Sequence, residues 1–188
     1  MPVGKRQPTH WRRVVTDERC GIQYAVGRRG VPAPASFRHW IQTSLGVLER
    51  AGGLTLRVTD EAESAALNQA YRNKPGPTNV LSFPFDSPPS WSGNYLGDLV
   101  LCAPVVAREA QAQGKPLRAH WAHLSVHGSL HLLGYDHQDA ADARQMEALE
   151  IRILRELGFD DPYQDFDEPD DNPLLTHDEP QDVHVFQR

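Results

Sequence analysis

Between His127 and His137 the chain reads His-Gly-Ser-Leu-His-Leu-Leu-Gly-Tyr-Asp-His, and this stretch constrains the local fold more than any other. His127 and His131 are four residues apart, so on a helix they project from one face, a turn apart. Gly134 can take the left-handed backbone that ends a helix, after which the chain can fold back and bring His137 to the same point. Three imidazoles with a fourth position left open describe a catalytic metal site, because a structural zinc is closed by four protein ligands. The pattern predicts one Zn²⁺ held by His127, His131 and His137, and attack by a metal-activated water.

Five of the nine histidines fall between His120 and His137, a crowding that a solvated helix face does not need. His123, four residues before His127, reads as a group behind the ligands or in the core, with a ligand role as the lesser alternative. His120 reads as a surface or packing residue, and Asp136 as either a turn cap or an imidazole-orienting carboxylate. The spacing of the three ligands is also that of metzincin proteases, which carry a glutamate base directly after the first histidine. Here that position is Gly128, so the ligand set is present and the protease base is not.

At 188 residues the chain is one domain's worth, long enough to bury a core. Cys20 and Cys102 are the only cysteines and sit far apart in apolar sequence, which excludes a disulfide framework and fits a reducing compartment. No segment approaches the roughly 20 apolar residues that span a bilayer, and the basic N-terminus has no apolar run behind it. The expectation is a cytoplasmic protein with no membrane partner. The net charge of −6 is uneven: from Phe159 onward there are ten acidic residues and one arginine, which leaves residues 1–158 at about +3. A mildly basic body permits an anionic partner without demanding one.

Residues 1–19 are basic and aperiodic and read as an extension; residues 20–158 read as a single catalytic domain. Residues 159–188 read as an acidic, disordered tail. Within the domain, strand patterns fall at Cys20 to Val26, Leu54 to Asp60, Thr78 to Phe85 and Tyr95 to Cys102. Helical patterns follow Ser36 (a candidate N-cap) until Gly52-Gly53, then run from Glu61 to Tyr71, Pro104 to Gln113, Leu117 to Leu133 and Asp139 to Leu157. Interleaved strands giving way to helices argue an α+β (α/β-like) fold, with a small mixed sheet of about four strands covered by about five helices. The metal motif lies at the end of the long fourth helix.

A second specified segment runs from Asn68 through Tyr71-Arg72-Asn-Lys74 and Pro75-Gly-Pro77 into Thr78-Asn-Val-Leu-Ser82-Phe-Pro-Phe85. Arg72 and Lys74 at a helix end are either solvated cations complementing the helix dipole or a grip on phosphate.

Together these segments, with Gly97-Asp98, closely resemble the bacterial YbeY family of metal-dependent endoribonucleases. The likeness extends over about residues 20–163. It implies a hydrolase that cleaves single-stranded RNA in ribosomal RNA maturation (the 16S 3′ end) and ribosome quality control. It further implies partners among small-subunit ribosomal proteins and an assembly GTPase. His127, His131 and His137 match the family's zinc ligands, and Arg72 matches its cleavage arginine. The resemblance thus assigns catalysis to Arg72 and His127, a substrate contact to Arg72, and structural or pocket-lining roles to Ser82 and Asp98, Ser82 counting among the substrate-binding candidates. Lys74 beside Arg72 is a further substrate-binding candidate. Pro75 departs from the family, where an acidic residue is common at that place.

In the implied mechanism Arg72 stabilises charge on the scissile phosphate, while either water or the ribose 2′-hydroxyl attacks. Trp91 and Tyr95 could stack bases or be buried. Two rivals compete: a non-enzymatic ribosome-assembly factor with a structural zinc, and a zinc metalloprotease, against which Gly128 speaks.

Overall fold

The computed structural model describes residues 20–86, 93–136 and 139–164. The N-terminal extension, Trp91, His137 and residues 165–188 lie outside them.

Four strands form one sheet: β1 (Cys20–Tyr24), β2 (Gly53–Thr59), β3 (Val80–Pro84) and β4 (Tyr95–Cys102). Their spatial order is β1-β2-β4-β3, with β1, β2 and β4 parallel and β3 antiparallel on the edge. Five helices join them: α1 (Pro34–Val47), α2 (Glu61–Arg72), α3 (Ala103–Ala112), α4 (Leu117–Leu132) and α5 (Ala140–Glu156). This is the small mixed α+β sheet that the sequence pattern implies.

Alternation along the strands sorts the two faces of the sheet. Leu54, Leu56 and Val58 of β2 and Leu99 and Leu101 of β4 join Trp40, Trp121, Leu130 and Ile153 in the main core, beneath α1, α4 and α5. Val100 points the other way, to Leu81, Phe83 and Leu67, and makes a smaller cluster under α2. The β3–β4 register pairs Ser82 with Leu99 and Phe83 with Asp98, so Ser82 faces α4 and Asp98 faces away from it. Among the described residues no helix is long and apolar enough to cross a membrane.

Several boundaries differ from the sequence reading. The first helix starts at Pro34, with Ala33 as N-cap, two residues before Ser36. Proline's fixed φ and missing N–H suit the first helical position, and they set the start without a side-chain cap. That helix also ends before Gly52-Gly53: Glu49 takes the left-handed backbone, at φ 51°, and Gly53 already belongs to β2. The tail boundary at Gly158 falls short. Phe159 stacks edge-on against Trp40 at 6.0 Å and Pro162 is buried, so the packed domain runs on to Tyr163. Aromatic and proline packing outweighs the acidic composition there.

Candidate metal centre

Helix α4 is sandwiched among α1, α3, α5, β3 and β4. From His120 to Leu132 every residue is buried except His123, His127 and His131. A helix buried almost all round carries apolar or internally hydrogen-bonded residues on its covered faces, and here the accessible stripe over this span is a row of imidazoles a turn apart. Gly134, at φ 91°, ends the helix as its spacing predicts. Its N–H bonds to His131 O and that of Tyr135 to Leu130 O, both at 3.1 Å, which is the paired closure of a Schellman turn.

His127 Nδ1 lies 2.7 Å from Glu150 Oε1. An ionised carboxylate only accepts, so Nδ1 carries the proton and the lone pair of His127 sits on Nε2. That Nε2 lies 3.1 Å from His131 Nε2. Two nitrogens on a tetrahedral ion with bonds of about 2.0–2.1 Å stand about 3.3 Å apart, so the pair is close to a ligand geometry already. Asp136 Oδ1 is 3.9 Å from His131 Nδ1, which is beyond hydrogen-bond reach.

Glu150, on α5, is completely buried and was not singled out by the sequence reading. Its other oxygen takes His123 Nε2 at 2.7 Å and the Tyr163 hydroxyl. Burial would raise the carboxyl, but the hydrogen bonds from His123 and His127 outweigh it and hold Glu150 well below the usual carboxylate range. Burial lowers the His123 imidazole, so that ring is neutral near pH 7 and donates to Glu150. Burial and the Glu150 charge push the Tyr163 hydroxyl well above its ordinary range, so it keeps its proton and donates too. His123, His127 and Glu150 also form a group whose donor atoms could hold a metal ion. The 2.7 Å contacts within that group are hydrogen-bond distances, however, and Tyr163 occupies one of its oxygens.

The helix face behind the histidines explains Gly128. A Cβ there would stand 2.2 Å from Leu99 Cδ1, so position 128 backs onto the sheet and has no room for a protease's glutamate. The Ser82 hydroxyl donates to Gly128 O at 3.2 Å, which ties β3 to α4. That bond gives Ser82, a candidate for substrate contact or a structural role, a structural tie beside His127.

Arg72 ends α2, and Asn73 follows in the left-handed conformation. The loop that carries Lys74 is pinned by Asn68 Nδ2 to Gly76 O at 2.9 Å and by a reciprocal pair between Ser64 and Thr78. Arg72 and Lys74 are exposed, and neither makes an ion pair among the described residues. Among the described residues no hydrogen bond or ion pair joins them to His123, His127 or His131. The link is indirect, through Tyr71 edge-on to Phe83 at 5.0 Å and Ser82 to Gly128.

Other expectations resolve toward packing. His120, expected at the surface or in packing, is buried, with Nε2 2.9 Å from Glu109, which also accepts from Asn79. Asp98 is buried and accepts from the Tyr95 hydroxyl, which Thr55 also contacts at 2.8 Å. Tyr95 is therefore built into the sheet, with Phe85 edge-on at 5.5 Å. One signal could have found Glu150: it lies on the apolar stripe of its helix between Met146 and Ile153, where a carboxylate needs partners.

Fold and site together define an α+β protein in which one buried helix exposes a row of imidazoles beside a buried carboxylate, a group that could hold a metal ion. Within that class the chain belongs to the YbeY family, since residues 32–158 match the family model described as Endoribonuclease YbeY. A curated relative, the endoribonuclease YbeY of Nitrosococcus oceani, is 55% identical over 145 residues, spanning 76% of this chain and 95% of the relative. The solution structure of a Thermotoga maritima protein aligns with a TM-score of 0.49 at 19% identity, covering 77% of this chain and 99% of that one.

Proposed function

We propose that this chain is a hydrolytic, zinc-dependent endoribonuclease that cuts single-stranded RNA at the α4 histidines. Membership of the YbeY family supports the reaction class. The observation that carries the metal is the 3.1 Å approach of His127 Nε2 to His131 Nε2, with the His127 lone pair aimed by Glu150. In this reading His127, His131 and His137 hold the ion. An ion held there supplies Lewis acidity and brings the pKa of water toward neutrality.

The protein's own groups divide the remaining work. His127 and His131 offer Nε2 lone pairs on a stripe that single-stranded RNA can reach and a duplex cannot enter. Arg72 grips the scissile phosphate with its guanidinium fork and balances the charge that develops there, with Lys74 as a second cation. Position 128 cannot host a base, so the departing proton passes to solvent or substrate. The substrate in this reading is ribosomal RNA, including the 16S 3′ end, with small-subunit proteins and an assembly GTPase as cytoplasmic partners. Residues 1–19 and the acidic tail are appendages to the catalytic domain.

The test is cleavage of a labelled single-stranded RNA by the wild type beside His131→Ala, purified identically. Cleavage by the wild type alone supports the proposal, and a cyclic phosphate end would assign the attack to the 2′-hydroxyl. Equal activity means a contaminating nuclease. Equal silence, with ribosome binding retained, favours an assembly factor with structural zinc.

A further inference from the structure

We propose that Glu150 is a positioning residue for the metal centre, fixing His127 with its proton on Nδ1 so that Nε2 faces the ion. The proposal rests on the metal reading above and names the group that builds the site. A fully buried carboxylate on an apolar helix stripe is expensive unless several donors meet it. Here three do, and they divide unevenly. Oε2 takes both His123 Nε2 and the Tyr163 hydroxyl, while Oε1 is left to His127 Nδ1. The carboxylate is thereby held in one orientation, and the one direction left open points at the metal-bearing ring.

Tyr163 reaches Glu150 from the segment beyond α5. Lys115 Nζ donates to Pro162 O at 2.7 Å and anchors that segment, and the His123 ring stands edge-on to Tyr163 at 5.5 Å. Helix α4, helix α5 and the chain that follows are thus cross-tied at a single carboxylate. Metal-binding histidines commonly donate their second N–H to such a group, and loss of the partner weakens metal binding about 10–100-fold.

The experiment uses the full chain as wild type, Glu150→Gln and Tyr163→Phe. Cobalt(II) alone is titrated by its absorption bands, and imidazole ¹⁵N shifts are read on the metal-free proteins. An amide in place of the carboxylate sets an N–H₂ group against one of the three donors. Where it meets His127, the ring must move its proton to Nε2 and block the ion. Glu150→Gln is expected to bind cobalt(II) about 10–100-fold more weakly. Tyr163→Phe keeps the carboxylate and loses one donor, so a several-fold loss is expected. Wild-type affinity in both variants, with His127 still protonated on Nδ1, would overturn the proposal. If Glu150→Gln does not fold, Tyr163→Phe decides, since that residue is 42% exposed and the change removes a single oxygen, and unchanged affinity there overturns it. A wild type that takes no cobalt(II) would remove the metal reading of the function, and the nitrogen shifts would then settle the Glu150 role alone.

Discussion

A Cβ at position 128 would stand 2.2 Å from Leu99 Cδ1, and Leu99 is fully buried in the main core. The glycine after His127 is therefore set by helix-on-sheet packing. In an exposed helix, glycine to alanine gains about 1 kcal/mol. Here the added methyl must displace a buried leucine, and overpacking costs about 1–3 kcal/mol. Gly128→Ala is expected to be net destabilising by urea denaturation. In a Leu99→Ala background the same change should become stabilising. A Gly128→Ala protein more stable than the wild type would contradict this account of the helix face.

The segment after α5 should be worth measurable stability. A chain ended after Gly158 loses the Phe159–Trp40 contact, buried Pro162 and the Tyr163–Glu150 hydrogen bond. Partial burial of an aromatic ring and a hydrogen bond to a charged group sum to about 3 kcal/mol. For a chain of this size that is about 10 °C in Tm. The comparison is with a chain ended after Gln164. If the two melt together, the domain stops at Gly158 after all.

How much of this was legible in the sequence depends on how local each feature is. His127, His131 and Gly134 declare themselves because helical periodicity and the left-handed turn are properties of a few adjacent residues. Glu150 was not legible, since its role exists only once α5 packs on α4 and aims it at two imidazoles 23 and 27 residues earlier. Tyr163 hid behind the acidic composition around it. The burial of His120 is of the same kind, because its partner Glu109 lies on another helix. Arg72 was recognisable only by resemblance: on its own helix it looks like an ordinary closing cation.

The Glu109 network gives a pH dependence away from His127 and His131. Glu109 accepts from His120 at 2.9 Å and from Asn79 at 3.0 Å. Burial opposes its charge, but these hydrogen bonds prevail and hold the carboxyl below its ordinary 4.5. A carboxylate lowered in the folded state stabilises above its unfolded pKa and loses that contribution as pH falls through the folded value. The wild type should exceed Glu109→Gln by about 1–2 kcal/mol near neutral pH. That margin should shrink once pH drops below 4.5. Urea midpoints from about pH 7 to pH 3 measure it; a margin that stays constant to the bottom of that range would mean Glu109 holds no such depressed carboxyl.

Arg72 separates catalysis from architecture. Its side chain is exposed and makes no ion pair among the described residues, so truncation should change stability by no more than about 0.5 kcal/mol. It should also leave the ion in place, because among the described residues no hydrogen bond or ion pair joins Arg72 to His127 or His131. If the guanidinium meets charge that develops on the phosphate, Arg72→Ala should slow single-turnover cleavage of a labelled single-stranded RNA by about 10²–10³-fold. Arg72→Lys should recover only part of that, since an ammonium supplies the charge without the two-pronged fork. Metal content and cleavage rate are measured on the same preparations. A variant that keeps its ion and cleaves at the wild-type rate would remove Arg72 from the reaction. One that loses ion and activity together would make Arg72 a support for the fold.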